Sequence, residues 1–177
     1  LTAVAALRGI RRQGRGWRIG ATTTWSDVLR ARLPAAFDAL KAAAREVGGV
    51  QIQNAGTVAG NLCNASPAAD GVPPLLALDA SVEIARAGGT RVLPLAEFIR
   101  GPRRTALGPG ELVAAIHVPP QAAGTRSRFL KLGARRYLVI SIAMVAAALE
   151  LRGGKIAGAR IAVGACSAVA QRLPGLE

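Results

Sequence analysis

Apolar positions along the chain follow the helical period in one stretch and alternate in several others. After Pro34, the residues Phe37, Leu40, Ala43, Ala44 and Val47 fall on one face of a helix. Pro34 suits its first position, and Gly48 with Gly49 stops it. A shorter helix is expected near 25–32, where Thr24 and Asp27 have the spacing of a capping box. Residues 17–22 read as a short strand entering a loop. Residues 75–78, after Pro73 and Pro74, read as a short helical or buried segment. Residues 81–86 alternate as a strand, and Gly88 with Gly89 turns it back into 91–94. A short helix is expected at 95–99 and another alternating strand at 111–118. The run PPQAAGT at 119–125 interrupts the pattern and reads as a linker. Beyond it, 128–132 reads as a strand. Residues 139–151 are ambiguous by period: Ile140, Ile142 and Val145 favour a strand, the alanines a helix. Taken as a strand, this stretch turns at Gly153–Gly154 into 155–165 as an antiparallel hairpin. Mixed short strands and helices give an α+β fold class.

Composition narrows the function classes. The chain has 177 residues, half of them hydrophobic, which is enough for one core or slightly more than one. Its net charge is +13, carried almost wholly by arginine. A basic chain raises a nucleic-acid reading. The arginines are scattered singly or in pairs, however, and aromatic residues make up only 3% of the chain, leaving little for base stacking. Cys63 and Cys166 have no C-x-x-C spacing, and His117 is the only histidine, so no metal or iron–sulfur site is expected from this chain alone. Cys63 reads as a small packed residue and His117 as a partly exposed strand residue. No signal peptide is visible, and the apolar run at 137–149 is shorter than the ~20 residues of a spanning helix, so the expectation is a soluble, cytoplasmic chain.

The segment 54–70, NAGTVAGNLCNASPAAD, holds the candidate chemistry. Read as a loop, its Gly56 and Gly60 free the backbone to turn N–H groups into one concavity that holds an anion. Thr57, Asn61 and Asn64 add side-chain hydrogen bonds, and Asp70, acceptor-only as a carboxylate, suits a ribose hydroxyl. The same residue types make ordinary surface turns. Neither G-x-x-x-x-G-K-[ST] nor G-x-G-x-x-G is present, so the residues by themselves support an anion loop and no more.

The run GTVAGNLCNASPAADGVPPLLALDASVEI resembles the flavin segment of the FAD-binding subunit of molybdopterin-dependent dehydrogenases, a family that includes xanthine, carbon monoxide and aldehyde dehydrogenases. There a T-[IV]-G-G-N run is followed by N-A-S-P-x-x-D; here Ala59 stands in place of the first paired glycine. The stretches 91–119 and 129–151 match in order, so the resemblance covers nearly the whole chain. It implies the second subdomain of the two-subdomain FAD-binding fold at 1–124, and the beginning of a C-terminal α+β domain at 125–177. It implies FAD as cofactor, with Thr57, Val58, Ala59, Gly60 and Asn61 at the pyrophosphate, Asp70 at the adenosine ribose, Val113 against the flavin and Lys131 near the isoalloxazine or ribityl chain. The ordinary readings are a core residue for Val113 and a solvated lysine for Lys131. No residue is assigned as catalytic. The implied activity is electron transfer from iron–sulfur clusters through FAD to an acceptor, beside a molybdopterin-binding large subunit and a 2Fe–2S small subunit. A second glycine-rich FAD loop of the family, G-G-x-[ST]-[DN], is not found, and the chain is expected to be a fragment of a longer subunit. The alternatives are a stand-alone flavin reductase of the UDP-N-acetylenolpyruvoylglucosamine reductase type and a basic nucleic-acid-binding module.

Overall fold

A computed structural model of the chain describes residues 1–177. Strands β1 (Ile10–Gln13) and β2 (Gly16–Gly20) form a hairpin around Gly14, whose φ of +57° a glycine adopts without strain. Five helices follow: α1 (Trp25–Arg30), α2 (Asp38–Glu46), α3 (Val50–Ala55), α4 (Val58–Asn64) and α5 (Val72–Ala77). Next come the hairpin β3 (Ser81–Arg86) and β4 (Gly89–Pro94), helix α6 (Leu95–Phe98), the short ribbon β5 (Ile99–Gly101) and β6 (Arg104–Thr105), and β7 (Leu112–Val118). After 119–125 the chain forms β8 (Arg126–Leu132), β9 (Ala143–Arg152), β10 (Lys155–Gly164) and β11 (Gln171–Arg172). One antiparallel sheet has the order β1-β2-β7-β3-β4 and a second the order β11-β10-β9-β8. The architecture is α+β, as the mixed pattern implies.

Local chemistry explains most of these boundaries. The expected capping box opens α1: Asp27 N–H donates to Thr24 Oγ1 at 3.1 Å, and Thr24 N–H to Asp27 Oδ2 at 3.0 Å. Pro34 does not open α2 directly; a 3₁₀ turn at Ala35–Phe37 intervenes, placing Phe37 fully inside the core. Leu40, Ala43 and Ala44 are buried as expected, whereas Val47 lies past the helix end and is half-buried.

Two expectations are overturned. Residues 54–70 are largely helical, not a loop: they hold the end of α3 and all of α4. The capping hydroxyl of Thr57 accepts from Gly60 N–H at 2.9 Å, and Val58, Ala59 and Leu62 bury an apolar face, which together favour a helix over an open loop. The strand expected at 139–151 starts only at Ala143. Residues 133–142 form an irregular strap between β8 and β9, with Leu138 at φ +50° and Ile142 N–H donating to Leu132 O at 2.8 Å.

The main core gathers Ile19, Trp25, Phe37, Leu40, Leu62, Leu75, Ile84 and Ile116 between the five-stranded sheet and the helices. A smaller cluster of Ala39, Ala43, Ala77, Phe129, Met144, Ala146 and Ala148 fills the contact of α2 and α5 with the second sheet. Helix α2 therefore serves both clusters, and its alanines let β8 and β9 approach closely. Ser127, 2% exposed, ties the junction: its hydroxyl donates to Ala36 O at 2.7 Å and accepts from Ala39 N–H at 2.8 Å. Ser127→Ala leaves that N–H without a partner and is expected to cost about 1–3 kcal/mol in urea unfolding. An unchanged midpoint would show that the junction does not depend on this hydroxyl.

Candidate functional site

The junction between the two sheets carries a groove of about 370 Å³, within the usual size range of a ligand pocket. One wall comes from α4 and the turn after it, through Asn61, Asn64, Ser66 and Asp70. The facing wall comes from β8 and the strap, through Lys131, Leu138, Val139 and Ile140, and Val47 and Gly48 close one end. The fold thus brings Asn61, Asp70 and Lys131 together from widely separated parts of the sequence.

Asp70 is buried and both of its oxygens are engaged. Lys131 Nζ donates to Oδ2 at 2.6 Å, and Ser141 Oγ donates to Oδ1 at 2.6 Å. The Lys131 and Asp70 side chains are only 8% and 9% exposed, so Lys131 is not the solvated lysine of the ordinary reading. Its ammonium is balanced by a carboxylate before any ligand arrives. Removing one member of such a buried pair is costly, because the other charge is left in a poorly solvated place.

The run 57–61 adds side chains more than backbone donors. Val58 N–H donates to Thr23 O at 3.0 Å, Gly60 N–H to Thr57 Oγ1 at 2.9 Å and Asn61 N–H to Thr57 O at 3.1 Å. These three groups are satisfied within the chain and do not turn into an open concavity. Val58 and Ala59 open α4 and lie on its buried face. The Thr57 hydroxyl, accepting from Gly60, keeps its own proton to donate. The amide oxygen of Asn61 accepts from Gly71 N–H at 3.3 Å, which leaves its amino group as a donor. Gly71 is needed there: a Cβ would lie 2.5 Å from Trp25 Cη2 and 2.9 Å from Asn61 Oδ1.

Thr57, Val58, Ala59 and Gly60 lie outside the groove lining, and so does Val113. Val113 lies on β7 inside the main core. Cys63, on α4, is half-buried, and burial pushes its thiol up, away from a reactive thiolate. His117 sits partly exposed on β7, with Nε2 2.6 Å from Glu83 Oε2, and Arg18 makes a bidentate contact with the same carboxylate. Burial opposes the charge on Glu83, but the hydrogen bonds from Arg18 and His117 outweigh it and hold the carboxyl below its ordinary range. This trio braces β2, β3 and β7 and has no place in the groove.

Sequence reasoning missed Ser141 and the apolar strap residues Leu138 and Ile140. Nothing local marks them, since a serine among isoleucines has no periodic signature; only the fold lays the strap beside Asp70. The donor set fits a dinucleotide in chemistry: the amides of Asn61 and Asn64 and the hydroxyl of Ser66 for phosphate oxygens on one wall, apolar side chains for a planar ring on the other.

The chain is similar to known proteins in sequence and in fold. The family described as the FAD binding domain in molybdopterin dehydrogenase matches residues 1–121. The xanthine dehydrogenase FAD-binding subunit of Escherichia coli O157:H7 is 35% identical over 164 residues, which cover 91% of this chain and 56% of the relative. The glyceraldehyde dehydrogenase medium chain of Sulfolobus acidocaldarius is 34% identical, over 84% of this chain and 53% of its own. Among solved structures, carbon monoxide dehydrogenase from Hydrogenophaga pseudoflava superposes with a TM-score of 0.90 at 29% identity, covering 97% of this chain and 60% of that one. Quinoline 2-oxidoreductase from Pseudomonas putida 86 superposes with a TM-score of 0.84 at 26% identity, with the same coverages. The chain spans about half the length of the curated relatives it matches.

Proposed function

The chain belongs to the family of FAD-binding domains in molybdopterin dehydrogenases, and we propose that it works there as the FAD-carrying part of an electron-transfer subunit in a molybdenum-containing hydroxylase or dehydrogenase. The observation that carries this reading is the convergence of Asn61, Asp70 and Lys131 on one groove at the junction of the two sheets. Bound FAD would supply a redox centre able to accept electrons singly and deliver a pair. The chain's own part is to bind and orient the cofactor; no side chain here need act as acid, base or nucleophile.

Within that reading, the Thr57 hydroxyl and the Asn61 amide donate to the pyrophosphate. Val58, Ala59 and Gly60 set the course of α4 beneath it. Asp70 takes the ribose side of the groove, and Lys131 presents its charge toward the ring or ribityl chain. Val113 acts from behind, as part of the core that supports the sheet. The partners are a molybdopterin-binding large subunit and a 2Fe–2S small subunit, with no nucleic acid. The division of labour is an FAD-binding domain at 1–124 and the beginning of a C-terminal domain at 125–177. No helix is long and apolar enough to cross a membrane, and the proposed compartment is the cytoplasm.

The test uses the protein as its gene encodes it. It is expected to purify with FAD, to show the two-banded flavin absorbance, and to bring down two further subunits carrying molybdenum and iron. A chain that takes up no FAD on reconstitution would remove the flavin reading. A flavoprotein that purifies alone and reduces a small substrate would point to the stand-alone reductase instead.

A further inference from the structure

We infer that Ser141 is a positioning residue of the groove: through Asp70 it orients Lys131 and holds the strap 133–142 in place as a wall. The inference rests on the flavin reading. The strap is a ten-residue excursion between β8 and β9. Its groove-lining residues are strongly exposed, with Leu138 at 59% and Ile140 at 79%, so burial of these side chains does little to hold it. Arg135 closes a turn within the strap by donating to Leu138 O, and Ile142 N–H returns to Leu132 O on β8. The hydrogen bond from Ser141 to Asp70 is the only one from this segment that reaches beyond β8 and the strap itself.

That bond is well placed to do more than anchor. Ser141 is 6% exposed and Asp70 7%, so little water competes for either group. A carboxylate accepts on both oxygens; here Lys131 takes one and Ser141 the other, each at 2.6 Å. Held from two sides, the carboxylate cannot rotate, and the ammonium it carries is fixed in the groove wall. Without the hydroxyl, the strap keeps only its β8 connections and Asp70 keeps only Lys131. A ligand would then have to order Leu138, Val139 and Ile140 as it binds, which lowers affinity without removing a direct contact.

The experiment compares wild type, Ser141→Ala and Ser141→Thr in the protein as encoded. Amide hydrogen exchange over 133–142 is measured without FAD, and the FAD dissociation constant is measured in parallel. Ser141→Ala is expected to speed exchange in the strap at least ~10-fold and to weaken FAD about 10-fold, the effect of one hydrogen bond to a charged group. Ser141→Thr, which keeps the hydroxyl, is expected to restore both. If Ser141→Ala fails to fold, Ser141→Cys, similar in size but a poor donor, takes its place. Faster exchange with unchanged FAD binding would reduce Ser141 to a structural anchor and overturn the inference, as would no change in either readout. Failure of the wild type to bind FAD would sink the flavin reading and the inference together; loss confined to the variants would not.

Discussion

Replacing Asp70 with alanine is expected to destabilise the protein by about 3–5 kcal/mol, because it leaves the Lys131 ammonium in a site only 8% exposed with no counter-charge. Ser141 loses its partner at the same time. FAD binding is expected to weaken by about 1–3 kcal/mol, the cost of leaving buried polar groups unpaired. Both effects are read from urea unfolding and from FAD titration of the refolded variant. The double variant Asp70→Ala with Lys131→Met separates the two. It removes the orphaned charge, so most of the stability should return, since an apolar substitute for a buried ion pair is often neutral. FAD affinity should stay low if the pair belongs to the groove. An unchanged FAD dissociation constant for Asp70→Ala would take Asp70 out of the site.

The second large effect is expected at Gly71. Its φ of −76° is ordinary for any residue, so alanine meets no backbone strain there. The obstacle is space: the added Cβ would come within 2.5 Å of Trp25 Cη2 and 2.9 Å of Asn61 Oδ1. Trp25 is 1% exposed and packed on all sides, so it has nowhere to go, and the shift falls on Asn61 and the backbone between α4 and α5. Overpacking of this kind costs about 1–3 kcal/mol. Because Asn61 is a groove residue, FAD affinity should fall along with stability. Gly175→Ala is the control: its Cβ would meet nothing within 4 Å, and the change should stay within about 0.5 kcal/mol. Equal behaviour of the two variants would show that space around Gly71 is not limiting.

Local chemistry was legible in the sequence where neighbours in the chain decide it. The Thr24–Asp27 capping box, the glycine stop after α2 and the β3–β4 hairpin all depend on residues a few positions apart, and each forms as the pattern implies. A strand forms at 112–118 as expected, but its burial does not alternate: Val113, Ala114, Ala115 and Ile116 are all buried, because β7 is the central strand of its sheet. The family was legible because its motif is carried by residue identity and spacing over most of the length.

What the sequence could not decide was conformation at positions where local and distant forces compete. Glycine, asparagine and threonine at 54–64 fit a turn and a capped helix equally well. Burial of Val58 and Leu62 against the core tips the balance to the helix. Ile140 and Ile142 favour a strand, yet Ser141 is drawn to Asp70 and the strand begins one residue after Ile142. The charge state of the groove was likewise out of reach. Asp70 and Lys131 are separated by some sixty residues, and only closure of β8 against the turn before α5 makes them a pair. Sequence determined which chemistry is available; the meeting of the two sheets decided which groups face each other, because a hydrogen bond at 2.6 Å depends on distance in space and not along the chain.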